Sequence, residues 1–227
     1  MRGGIGCKSM QHRTQHFVSP SYTYEKLEPP FFKDIVDVFE DRMTHWLIVP
    51  AKELLKVQHG EVAAVALVTG YMEAIEIYIS GTDSKRNSRE FFVRGFKRVF
   101  ASVSGPEFMH EAVAGSLYKL LRCGFAHDGM FRHGIYFSTV RPEAFTVTWP
   151  RKNGKFDPNG KLESAIVNPH RFVEGVEAHF REYIRQLRRF SDSEAKNKFK
   201  AAVDLKWHLS SEERHIGMTE EEFYRAA

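Results

Sequence analysis

Glu61-Val62-Ala63-Ala64-Val65-Ala66-Leu67-Val68-Thr69-Gly70-Tyr71-Met72-Glu73-Ala74-Ile75-Glu76-Ile77-Tyr78-Ile79-Ser80 is the most apolar stretch of the chain, and its reading decides the fold class. The run is too long for a strand, so it predicts one buried helix, stopped by Gly81. Its Val and Ile residues lower helix propensity without changing that reading. Glu73 and Glu76 lie three apart and read as a solvated side of the helix, with a catalytic carboxylate pair as the sharper option.

Upstream, Phe31, Ile35, Val38, Phe39, Met43 and Trp46 recur at three- and four-residue spacing among Lys33, Asp34, Asp37, Glu40 and Asp41. That pattern is an amphipathic helix. Pro50 should interrupt or end it, and a second short helix would carry Leu54, Leu55 and Val57. Downstream, residues 82–88 form a polar loop. Phe92, Phe96, Val99 and Phe100 then share one helical face, with Arg89, Arg94, Lys97 and Arg98 on a solvated cationic side. Such a basic, aromatic helix is also a candidate phosphate contact. Gly105-Pro106 opens a further helix through Phe108, Val113, Leu117, Leu120 and Leu121.

After Gly129 the period shortens to two. Residues 134–138 and 144–149 read as strands with Arg141-Pro142-Glu143 as the turn between them, and residues 162–167 read as a third strand. Lys152-Asn153-Gly154-Lys155 and Asp157-Pro158-Asn159-Gly160 are turn sequences. So small a sheet cannot bury its own face and must lie against the helices. Asn168 caps the last core helix, Pro169 occupies its first turn, and Phe172, Val173, Val176, Phe180, Tyr183, Ile184 and Leu187 form its stripe. The fold class is therefore mainly α: a helical bundle over residues 31–190 with a small antiparallel β insertion at about residues 134–167. An irregular arm (residues 1–30) precedes it. A helical appendage (residues 191–227) follows, with polar helices to about Trp207 and over residues 218–223.

Composition sets bounds on function. Of 227 residues, 42% are hydrophobic and 27% charged, the balance of a chain that folds around a core. The net charge of +4 and pI of about 9.0 are compatible with a nucleic-acid partner. Cys7 and Cys123 make no disulfide framework and read as free thiols. No run of eighteen apolar residues and no signal-peptide pattern stands in the sequence, so a cytoplasmic protein without a membrane span is expected. His12 and His16 have helical metal-ligand spacing but no third ligand nearby.

Arg122 and His127 are the informative pair. They lie in Leu117-Tyr118-Lys119-Leu120-Leu121-Arg122-Cys123-Gly124-Phe125-Ala126-His127-Asp128-Gly129, which begins as an apolar helix and ends in a glycine turn. An arginine beside a core stays charged and demands an acceptor, a partner charge or a phosphate. The structural reading is a helix end whose cation satisfies terminal carbonyls. The functional reading is an Arg and a His facing a cleft. On an ideal helix five residues turn about 500°, leaving the two side chains roughly 140° apart. They converge only if Gly124 or the Asp128-Gly129 turn bends the chain, or if they come from two protomers.

The segment Leu121-Arg122-Cys123-Gly124-Phe125-Ala126-His127-Asp128-Gly129 resembles the Arg-x4-6-His motif of the HEPN superfamily, late in a helical bundle, here in what looks like a bacterial branch with a strand insertion. The family often carries Asn, Asp or His where this chain has Cys123. The resemblance implies a metal-independent endoribonuclease of toxin or antiviral type, needing no cofactor. It also implies a homodimer that joins two motifs at a cleft, RNA as substrate, and an antitoxin-like protein partner. Arg122 would act on the phosphate, His127 in proton transfer and Glu73 in holding the arginine, with Asp128, Arg132 and His133 as RNA contacts. The alternative implied by inactive family members is a module that dimerises and binds RNA or a protein. A metal-dependent phosphohydrolase built on His127-Asp128 would need further ligands, for which His110 and His133 are available.

Overall fold

The computed structural model describes residues 17–101, 107–189, 193–209 and 225. The His12/His16 pair, the Gly105-Pro106 helix start and the helix expected over residues 218–223 lie outside these residues. The chain is mostly helical with small sheets. Its first elements are β1 (Phe17–Ser19) and β2 (Tyr22–Thr23), an antiparallel ribbon. Ser21 pins this ribbon to the bundle, donating from its N–H and Oγ to Asp41 at 2.8 and 2.9 Å. Burial pushes the Asp41 carboxyl up, but the nearby Ser19 hydroxyl and the hydrogen bonds from Ser21 prevail and hold it below the usual range.

Next come α1 (Phe32–Met43), a π turn (Thr44–Ile48) and α2 (Val49–Leu54), wound as one rod. Pro50 was expected to interrupt or end the helix, and the structure takes the first course: a π turn breaks the α winding just ahead of it and the short helix α2 follows, through Leu54. Proline lacks an N–H and its ring crowds the carbonyl four residues back. Widening to i→i+5 bonds, with Val49 N–H donating to Thr44 O, opens the winding ahead of that ring.

The apolar stretch forms α3 (Glu61–Thr69) and α4 (Tyr71–Ser80), a jointed pair and not one helix. Gly70 keeps helical angles (φ −64°, ψ −20°), while Thr69 Oγ1 donates back to Val65 O at 2.6 Å, a bond that bends helices. Gly81 stops α4 in the left-handed conformation (φ +74°), as read from sequence. By length and composition Glu61–Ser80 could cross a membrane (20 residues, mean hydropathy 1.6), but half of it is buried inside this fold.

Two further helices follow, α5 (Ser88–Val99) and α6 (Glu107–Leu117), and α6 runs on into π turns at Tyr118–Arg122 and Gly124–Asp128. The strands β3 (Ile135–Phe137), β4 (Phe145–Thr148), β5 (Arg151–Lys152), β6 (Lys155–Phe156) and β7 (Ser164–Val167) precede α7 (Pro169–Arg189) and α8 (Ser193–Trp207). The strand order β3-β7-β4 departs from the expected neighbours. Residues 134–138 and 144–149 do not pair with each other, because β7 lies between them, parallel to β3 and antiparallel to β4. Both edges of β7 are hydrogen-bonded, which suits its apolar Ala165, Ile166 and Val167. Asn168 Nδ2 donates to Arg141 O at 2.6 Å and holds the connection that passes over the end of β7. Asn153 (φ +54°) and Gly154 (φ +77°) make the tight turn of the β5–β6 hairpin.

The sheet lies on the bundle. Ala165 and Val167 are buried, and Phe145 packs at 5.3 Å from both Phe96 and Phe100. The seven stripe residues read for α7 are all buried, and Asn168 Oδ1 caps the helix by accepting from Arg171 N at 3.3 Å. In α8, Phe199 and Val203 enter the same core, with Phe199 5.2 Å from Phe39 and 5.8 Å from Tyr78.

α4 and α5 touch backbone to backbone. A Cβ added at Gly95 would sit 1.8 Å from Met72 O. Gly95→Ala should therefore lower stability by about 2–3 kcal/mol through overpacking. The readout is the midpoint of guanidinium unfolding; an unchanged midpoint would contradict so close a crossing.

Candidate active site

Arg122 and His127 lie on π winding, which changes the geometry expected of them. In an i→i+5 turn, five residues come close to one full turn. Cys123 N–H donating to Tyr118 O shows this winding directly. Residues five apart thus return toward one side of the helix, where α winding would set them far apart. Gly129 ends the segment with φ +72°. The chain then doubles back over Gly124, where a Cβ would meet Met130 O at 2.9 Å and Arg132 N at 3.1 Å. Arg132 N donates to Leu120 O at 3.0 Å, and Ile135 N to Arg132 O at 3.3 Å, which ties the turn to β3.

Glu73 meets Arg122. Its Oε2 accepts from Arg122 Nη2 at 3.0 Å, and its Oε1 accepts from Ser84 Oγ at 2.8 Å. The Glu73 side chain is 13% exposed and that of Arg122 30%, so the carboxylate is the anchor and the guanidinium keeps an open edge. The Tyr118 ring lies 5.8 Å from Arg122 Cζ. Burial, followed by contact with the Cys123 thiol, pushes the Tyr118 hydroxyl up against the pull of Arg122.

The other expected residues are placed nearby but differently engaged. His127 is exposed on the final turn. Asp128 Oδ2 accepts from Arg132 Nε at 2.6 Å, and this bond holds the Asp128 carboxyl below its ordinary range. Asp128 and Arg132 thus neutralise each other. His133 is exposed, with its ring 6.5 Å from that of Tyr136. His110 packs on Phe96 at 5.9 Å. Among the described residues no three His, Cys, Asp or Glu side chains gather as a metal site.

Glu76 corrects the expectation of a solvated carboxylate face. Its side chain is 3% exposed, with Arg94 Nε 3.0 Å from Oε1 and Arg98 Nε 2.6 Å from Oε2. The cationic side read for α5 is in part the counter-charge to α4. A cleft of about 470 Å³ opens beside the π turn, lined by Arg89, Ser116, Tyr118, Lys119, Cys123 and Arg132 among others.

The sequence reading missed His179. It sits on α7 among the stripe residues, and its Nδ1 lies 2.8 Å from the buried Tyr71 hydroxyl. Arg98, Glu182, Tyr183 and Gln186 line the adjoining cleft of about 360 Å³. Burial, then the Arg98 charge, push the His179 imidazole down to about 4. No local spacing marks such a residue, because its partner Tyr71 is remote in sequence.

The pH consequence has a definite sign. Between pH 6.5 and about 4 the unfolded chain takes a proton at this position that the folded chain refuses. The His179 contribution to stability is complete above pH 6.5 and is lost as pH falls through that window. Urea unfolding at a series of pH values should show His179→Asn losing less stability than wild type across it. Parallel curves for the two proteins would refute this.

No protein-family model matches this chain, and no curated protein or solved structure matches it; what it does has to be read from the geometry just described.

Proposed function

We propose that the protein is a metal-independent endoribonuclease of HEPN type, with Arg122 and His127 as catalytic residues and Glu73 as the residue that positions Arg122. The observation that carries this reading is the π winding over Tyr118–Arg122 and Gly124–Asp128, which presents an anchored, part-exposed guanidinium and an exposed imidazole on one short wide-wound helix end. Wide turns of this kind are frequent at functional sites.

The chemistry needs only those groups and the substrate. The RNA 2′-oxygen attacks the adjacent phosphorus, the P–O5′ bond breaks, and a 2′,3′-cyclic phosphate and a 5′-hydroxyl result. One proton leaves the 2′-hydroxyl and one reaches O5′. Imidazole is the side chain that changes charge near neutrality, so His127 is suited to either transfer. Arg122 stabilises the negative charge that accumulates on the phosphoryl oxygens, and Glu73 spares it the reorganisation of finding its position. A homodimer supplies a second histidine, so that one imidazole accepts a proton while the other donates.

A second reading has its own support. Arg122 is already paired with Glu73, and Cys123 stands where the family often has a stronger hydrogen-bonding residue. This arrangement also suits a module that dimerises and binds RNA without cutting it.

Incubation with single-stranded RNA in EDTA separates the two. Wild type should cleave, His127→Ala should lose cleavage by at least about a hundredfold while retaining RNA binding, and Arg122→Ala should lose both. Intact RNA with wild type from pH 5 to 9 would leave the binding module. Light scattering should report a dimer at micromolar protein; a monomer would remove the two-histidine arrangement.

A further inference from the structure

Most arginines on the helices around the site are matched by carboxylates. Arg94 and Arg98 meet Glu76, Arg122 meets Glu73, Arg132 meets Asp128, and on α7 Arg181 and Arg185 meet Glu177 and Glu182. Arg89 and Lys119 differ. Both are exposed, both line the 470 Å³ cleft, and neither forms an ion pair with the described residues.

The Arg89 guanidinium has a seat. It lies against α6 where Gly115 has no side chain, so close that a Cβ there would be 2.5 Å from its Nη2. Lys119 follows one turn later on the same helix, and Ser116 and Tyr118 add hydroxyl groups to the wall. Cys123 and Arg132 complete it, and Cys123 is the neighbour of Arg122. Two unneutralised cations, two hydroxyls and a concave surface beside a phosphate-cleaving pair form a receptor for a second phosphate.

We propose that this cleft is a phosphodiester subsite that holds an RNA strand beyond the scissile bond, with Arg89 and Lys119 each contacting a backbone phosphate. The proposal rests on the ribonuclease reading for the position of the scissile phosphate, but the cleft's affinity is separable from cutting. Backbone contacts position a strand without reading its sequence. The subsite therefore favours oligonucleotides over dinucleotides and is indifferent to base identity.

The test combines Arg89→Ala and Lys119→Ala in one variant, with Arg181→Ala plus Arg185→Ala as a control of equal charge loss on the outer face of α7. Binding is read by anisotropy of a fluorescent single-stranded oligoribonucleotide in the non-cleaving His127→Ala background, over a range of salt concentrations. The cleft variant should bind about tenfold more weakly, with the salt slope reduced by about 1.4, roughly 0.7 per lost phosphate contact on a single strand. The control should stay near wild type. Inorganic phosphate should compete only weakly, which distinguishes a strand subsite from a site for the free ion.

Cleavage separates the two readings, with all variants checked for an unchanged unfolding midpoint. With His127 in place, the cleft variant should raise KM for the oligonucleotide about tenfold and leave turnover of a dinucleoside monophosphate unchanged. Equal loss on both substrates, equal loss of binding in the control, or full competition by inorganic phosphate would overturn the subsite. Wild-type affinity in the cleft variant would overturn it while leaving the ribonuclease reading in place. Cleft-dependent binding by a wild type that cuts neither substrate would uphold the subsite and refute the ribonuclease reading.

Discussion

Two carboxylates inside a helical bundle impose most of what surrounds them. Glu73 and Glu76 lie on α4, which packs against both α5 and α8, and a carboxylate in that position must be paired. Removing one partner of a buried pair typically costs about 3–5 kcal/mol. The cations come from two different elements: Arg94 and Arg98 from successive turns of α5, and Arg122 from the π turn after α6. Pairing with α4 thus fixes the rotation of α5 and the depth at which the Arg122 turn docks. The backbone contact at Gly95 is available to α5 only in that rotation, since the same helix face carries the arginines past α4.

The helices were legible because their cores repeat at helical spacing. The α7 stripe, its Asn168 cap and the Gly81 stop all stand where the residues put them. What failed to show was long-range or depended on winding. The order β3-β7-β4 is decided by which strand can be bonded on both edges, and adjacency in sequence says nothing about that. Pro50 read as a break or an end, and that the break takes the form of a π turn is a matter of hydrogen-bond pattern that residue types do not show. Glu76 read as solvated because spacing alone does not distinguish a polar surface from a polar seam between two helices.

The site divides along the same line. The Arg–His spacing and a nearby carboxylate at Glu73 were visible as residue types. The π winding that carries Arg122 and His127 was not, since it lies in hydrogen-bond pattern and in the crossing of residues 130–132 over Gly124. Asp128 and Arg132, expected to meet substrate, meet each other, while Arg89, read as part of a general cationic face, lines a cleft. An individual charge acquires its role from whether a partner neutralises it.

The placement of α8 has a consequence for how the protein is made. Phe199 sits among Phe32, Phe39, Tyr78 and Tyr183, aromatic residues contributed by α1, α4 and α7. A nascent chain emerging from the ribosome therefore presents Phe39 and Tyr78 to solvent until the segment near Trp207 has cleared the exit tunnel. Until then the bundle lacks its last wall and exposes an aromatic surface of the kind chaperones bind. Folding to the finished core is thereby deferred until α8 has been synthesised, even though α1, the first helix that needs the wall, is translated long before it.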